Sequence, residues 1–157
     1  MRVFSDRRTV LKMRNGSVSA RGFTLIEIMV VVVILGLLAA IVAPNVMRRI
    51  DDAQIAKAKQ DIRSYDTALS LFRMDNYKYP TSDQGLAALV TKPGDSSIRN
   101  FPEGGYVKGG LRKDPWGNDY RYQSPGSHGE YDLFTLGADN QEGGEGINAD
   151  IGNWSIE

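Results

Sequence analysis

The sequence predicts an α+β fold: one long N-terminal helix, apolar in its first half, packed through its second half on a small antiparallel β-sheet. Three observations carry that prediction. Residues 28–43 hold no polar side chain. Beyond Pro44, residues Ile55, Ala58, Ile62, Tyr65, Leu69 and Phe72 recur at intervals of three and four, which places them on one face of a helix. Past residue 84 the chain is rich in glycine and carries short aromatic and β-branched runs, the pattern of brief strands joined by turns.

The first element is a polar head. Residues 1–22 carry six basic side chains (Arg2, Arg7, Arg8, Lys12, Arg14, Arg21) against Asp6, so this head is +5 and the remainder −5 in a chain of zero net charge. A basic head before an apolar run is the pattern of a segment held at a cytoplasmic membrane face. The apolar run accounts for the basic charge, so nucleic acid is not an expected partner. The second element, residues 23–43, is a helix candidate about 31 Å long at ~1.5 Å per residue, enough to cross a bilayer core of about 30 Å. Pro44 removes one backbone bond and is expected to kink the helix without ending it. The helix then runs to about residue 74, with Asp51, Asp52, Lys57, Lys59, Asp61, Arg63, Asp66 and Arg73 on its other faces.

A loop through Pro80 follows, then a short helix around Leu86 to Val90 with Thr81 or Ser82 as N-cap. Residues 91–113 show no period. "DPWG" (Asp114 to Gly117) suits a type I turn, with Trp116 as its buried anchor. "YRYQ" and "YDLFTL" are two strands joined by the loop "SPGSHGE", and "IGNWSI" is a closing strand. His128 is expected to be a hairpin-loop residue. Ser127, His128 and Asp132 lie too close in sequence for triad geometry, and no phosphate loop or carboxylate dyad is present, so no enzymatic activity is expected.

One residue contradicts a plain anchor. Glu27 lies four residues past Phe23 in the apolar segment, where a charge costs about 2.5–3.5 kcal/mol at mid-membrane and less near the edge. A secretory signal also fits poorly: no clean A-x-A site follows the apolar core, and Ala40 and Ala43 lead straight into Pro44. A cut between Gly22 and Phe23 supplies a partner, because the new α-amine of Phe23 then lies one helical turn from Glu27. The pair can also form between neighbouring chains, making Glu27 a register mark for stacked helices.

Gly22-Phe23-Thr24-Leu25-Ile26-Glu27, followed by an apolar run, resembles the class III leader of type IV pilins and pseudopilins. "YPTSDQGLAALV", "DPWGNDYRYQSPGSHGEYDLFTLGAD" and "ADIGNW" are similar to the major pseudopilins of type II secretion, and zero cysteines argues against the disulfide-closed adhesive pilins. The resemblance implies a type IV pilin-like fold. It implies cleavage by prepilin peptidase after Gly22, N-methylation of Phe23, and an assembly role for Glu27. It also implies a subunit that self-assembles into a helical filament, with minor pseudopilins and an inner-membrane assembly platform as partners and membrane lipid as its surroundings before assembly. The leader is longer than is usual in that family. The expected domains are a removed leader (1–22), a transmembrane helix that becomes filament core (23–43) and a periplasmic domain (44–157). Two alternatives stay open: a type IV pilus subunit, and an exported soluble binding domain with a conventional signal peptide. Asp66 is either a lone solvated charge or an assembly residue pairing with Lys108 or Arg112 of a neighbouring subunit.

"GADNQEGGEGINAD" gathers Asp139, Glu142, Glu145 and Asp150 among glycines. Carboxylates this dense are either solvated on a surface loop or bridged by a hard cation. The spacing of Asp139 and Asp150 is not that of an EF-hand, because Gln141 and Gly143 stand where ligands are needed. The family resemblance implies structural Ca2+ here, with side chains from Asp139 and Asp150 and carbonyls from Leu136, Gln141 and Ile147.

Overall fold

A computed structural model describes residues 22–156. The leader expected at 1–22 therefore lies outside the described residues, apart from Gly22. The chain divides into two compact units after Ile41. Helix α1 spans Leu25–Asn76 without a break, and Pro44 is inside it.

In the first unit every residue from Gly22 to Ile41 is exposed. The run Val30–Val33 is β-branched and would favour a strand in water, but a lone strand in lipid leaves its backbone unbonded, whereas a helix satisfies every peptide group internally. An 18-residue window of α1 has a mean hydropathy of 3.1, long and apolar enough to cross a membrane by length and composition; a signal sequence passes the same test.

In the second unit the predicted stripe is the core. Ala58, Ile62, Tyr65, Leu69 and Phe72 are buried against Leu86, Leu89, Ile98, Tyr120, Tyr131, Leu133 and Ile151, with Ile55 partly buried beside them. The helix begins two residues later and ends two residues later than the sequence predicts, for local reasons. Thr24 caps its start. At its end Tyr77 takes φ 61°, the left-handed conformation that stops a helix, while its N–H bonds the Arg73 carbonyl at 2.7 Å. The Asn76 amide donates to the Phe72 carbonyl at 3.1 Å and its oxygen accepts from the N–H of Asn100 at 3.2 Å, so the loop completes the helix end.

The short helix is a 3₁₀ turn at Leu86–Leu89 whose N-cap is Gly85, not Thr81 or Ser82. Thr81 instead closes the preceding turn: its hydroxyl accepts from the Gln84 N–H, and Gln84 accepts from the Thr81 N–H. The sheet has order β1-β2-β3, all antiparallel: β1 Arg121–Gln123, β2 Asp132–Thr135 and β3 Ile151–Gly152. Tyr122 lies opposite Leu133, and Phe134 opposite Gly152. Each strand is shorter than its predicted run. "IGNWSI" keeps only two residues in the ladder, because the Trp154 ring folds back over Gly152 where any Cβ would collide with it.

Candidate functional site

The processing junction is built from the start of α1. Gly22, Phe23 and Thr24 lie outside the helix and are exposed, so the Gly22–Phe23 bond is in non-helical chain that a protease can engage. Thr24 and Glu27 form a reciprocal cap: the Glu27 N–H donates to Thr24 Oγ1 at 3.2 Å, and the Thr24 N–H faces Glu27 Oε2 at 3.4 Å. The sequence carries this as Thr-x-x-Glu ahead of an apolar run, the capping-box signature, which explains a glutamate here without a charged partner. Glu27 therefore has a partner before any cut is made, at the positive end of the helix dipole.

Two carboxylates of the second half of α1 differ from their expected surroundings. Asp66 is not a lone solvated charge: it is half-buried and accepts a hydrogen bond from the Tyr131 hydroxyl. Asp61, expected among the solvated faces, is buried. It sits 2.6 Å from Lys57 Nζ, 3.9 Å from Arg112 Nη1 and 3.2 Å from the Tyr120 hydroxyl. Burial and the Asp61 charge together push the Tyr120 hydroxyl pKa far above its ordinary value. So Arg112 already faces a carboxylate within its own chain, while Lys108 is exposed on the rim of a cavity of about 230 Å³ beside it.

The glycine-rich loop is anchored through the DPWG turn. That turn forms as predicted, with the Gly117 N–H donating to the Asp114 carbonyl at 3.0 Å, and Trp116 half-buried against the core. Asp114 is 5% exposed; its Oδ1 accepts from the N–H groups of Trp116 (3.0 Å) and Asn118 (2.7 Å), and its Oδ2 from the Thr135 hydroxyl on β2. Asn118 in turn donates to the Gly137 carbonyl at 3.1 Å, at the mouth of the loop. The loop closes on itself there. The Ala138 N–H donates to the Ile147 carbonyl at 2.9 Å, and a Cβ on Gly137 (φ +69°) would come within 2.6 Å of that carbonyl oxygen.

Of the five expected metal ligands, Leu136 is buried on the sheet side and Ile147 is at the closure. Asp139 and Gln141 are exposed on the outer arm, where Asp139 Oδ1 accepts from the Gln141 N–H at 3.1 Å. Asp150 Oδ2 accepts from the Gly143 N–H at 2.9 Å, and its Oδ1 is buried with no hydrogen-bond partner. A buried carboxylate oxygen without a donor is costly unless something positive meets it. Among the described residues no three His, Cys, Asp or Glu side chains gather as a metal cluster, so a cation at Asp150 has to draw on carbonyls as well. Carboxylate and carbonyl oxygens are the donor types that a hard cation takes.

His128 is a loop residue with more contacts than that position suggests. Its ring stacks on Trp154 at 3.9 Å, and its Nδ1 is 3.0 Å from Asp132 Oδ2. Ser127 meets Asp132 through its backbone N–H, not its hydroxyl. Burial opposes charge on Asp132, but the Ser127 and His128 N–H groups and the His128 ring hold its carboxyl below the usual carboxylate value.

Residues 45–154 match the family described as type II secretion system (T2SS), protein G, and residues 18–43 match the prokaryotic N-terminal methylation motif. The type II secretion system core protein G of Vibrio cholerae is 60% identical over 136 residues, 87% of this chain and 92% of that one. Its counterpart in Pseudomonas aeruginosa is 55% identical over 134 residues, covering 85% and 94%. A crystal structure of the major pseudopilin from the type 2 secretion system of enterohaemorrhagic Escherichia coli is similar, with TM-score 0.61 and 40% identity over 71% of this chain and 96% of that chain.

Proposed function

The chain belongs to the protein G family of type II secretion systems, and from that premise we propose that it is the major structural subunit of a pseudopilus, a helical periplasmic filament that drives export of folded proteins across the outer membrane. The observation that carries the reading is the junction of an exposed Gly22–Phe23 bond with a capped apolar helix, on a chain whose residues 45–154 match protein G. Prepilin peptidase cuts after Gly22 and Phe23 is methylated. Residues 23–43 then hold the subunit in the inner membrane as a single pass, with residues 44–157 in the periplasm. On assembly with minor pseudopilins and the inner-membrane platform, the apolar helices become the filament core. Glu27 meets the Phe23 amine of a neighbour, and Asp66, half-buried beside the Tyr131 hydroxyl, would pair through its exposed side with a basic residue of a neighbouring subunit, Lys108 or Arg112. The role is structural and needs no catalysis.

Ca2+ is part of this reading. Asp139 and Asp150 with the carbonyls of Leu136, Gln141 and Ile147 would hold it; the unpartnered Asp150 Oδ1 supports the proposal. The ion would supply charge neutralisation and a cross-link, doing for a cysteine-free loop what a disulfide does elsewhere.

Expression in a secretion-competent host lacking its own protein G tests the function. The expected result is restored secretion, with N-methyl-Phe at position 23 by mass spectrometry. An N-terminus beyond residue 43, or secretion that is never restored by a correctly processed chain, overturns it.

A further inference from the structure

Arg48 and Arg49 are the first charges on α1 after the apolar segment, and both are exposed. Asp51 and Asp52 lie three and four residues beyond Arg48, and Asp52 three beyond Arg49, within helical reach, yet no ion pair joins them to either arginine among the described residues. That order, with the base N-terminal to the acid, is the weaker one for pairing on a helix. Arg49 also borders an apolar strip formed by Val42, Val46, Ile50 and Ala53, and Met47 beside it is exposed.

Position along the helix decides what such a surface meets. Arg48 and Arg49 are five and six residues past Ala43, about 8–9 Å higher at ~1.5 Å per residue. A bilayer core of about 30 Å inside a total of about 40–45 Å leaves a headgroup layer of roughly 5–8 Å on each side. With the apolar segment in the core, the Arg48 and Arg49 backbone stands at the outer rim of that layer, and their long side chains, leaning back toward the helix N-terminus, bring the guanidinium groups down to the phosphates; the apolar strip dips toward the acyl boundary, and Asp51 and Asp52 stand clear of the negative surface.

We infer that Arg48 and Arg49 form a docking site for anionic phospholipid headgroups at the outer face of the membrane, fixing the depth of α1 before assembly. Each guanidinium offers paired donors to phosphate oxygens. A zwitterionic headgroup carries its own cation and competes poorly for them. The inference rests on the membrane-anchor reading above.

The test uses the full chain in nanodiscs of phosphatidylcholine alone or with three-tenths phosphatidylglycerol. A water-soluble glyoxal reagent modifies arginines, and peptide mass spectrometry reads each position, so the basic leader does not confuse the result. The expected outcome is about tenfold slower modification of Arg48 and Arg49 in anionic discs, abolished by 0.5 M salt. Arg99, exposed in the globular part, is the internal control and reacts equally in both. Equal rates at 48 and 49 in a chain that co-elutes with the discs overturn the lipid site alone. A chain that does not co-elute overturns the anchor as well.

Discussion

Asp114 shows how much one side chain can organise. Its buried carboxylate joins the DPWG turn, Asn118 and Thr135 of β2, and Asn118 passes the connection to Gly137 at the loop mouth. Asp114→Ala leaves the Thr135 hydroxyl and two N–H groups without their acceptor, and each buried group so stranded costs about 1–3 kcal/mol. Urea unfolding is expected to show a loss of about 3 kcal/mol; a loss below about 0.5 kcal/mol would mean that water replaces the carboxylate. Asp139 offers the complementary case, since it is exposed and its one bond is local. Asp139→Ala is therefore expected to leave the melting temperature unchanged in chelator and to lower it only with calcium present. A wild-type midpoint that chelator does not move sinks the structural-calcium proposal.

At the level of elements, α1 carries one weakness that is built in. Pro44 has no N–H for the Ala40 carbonyl, and Gly36 lacks a side chain to restrict its backbone. Residues 36–44 are expected to exchange amide hydrogens rapidly in assembled filaments, with 58–72 slow, and Pro44→Ala should slow the exchange. Uniformly slow exchange across α1 counts against local unwinding. This helix was the most legible element, because its stripe of Ile62, Leu69 and Phe72 repeats over several turns. The strands were legible as apolar runs but not in length, since the closing strand stops after Gly152, where the chain turns and the Trp154 ring folds onto it. The burial of Asp61 is legible only in part for a similar reason. Helical spacing offers it Lys57 one turn back, but Arg112 and Tyr120, which complete its surroundings, lie about fifty to sixty residues away. Of the candidate sites, the junction was written locally in residues 22–27. The loop's closure was not, because it depends on a carbonyl, and every residue has one.

The second unit as a whole is lined with tyrosines whose hydroxyls are held protonated. Burial, reinforced by Asp75, pushes Tyr106 up to about 12; burial also pushes Tyr122 up to about 12, and raises Tyr65, Tyr120 and Tyr131. A raised folded-state value means stability that is complete below the unfolded value near 10 and is lost as pH climbs toward 12. The melting temperature is expected to fall by roughly 10 °C or more between pH 9 and 11.5, alongside tyrosinate absorbance near 295 nm. Tyrosines ionising near pH 10 in a chain that stays folded would refute this. The brevity of the sheet has its own consequence. Its two outer strands, Arg121–Gln123 and Ile151–Gly152, span three residues and two. An open strand edge is a template for foreign strands, and the hazard grows with its length and with local crowding. In the proposed filament, neighbouring copies of this domain offer one another edges too short to zip together into amyloid.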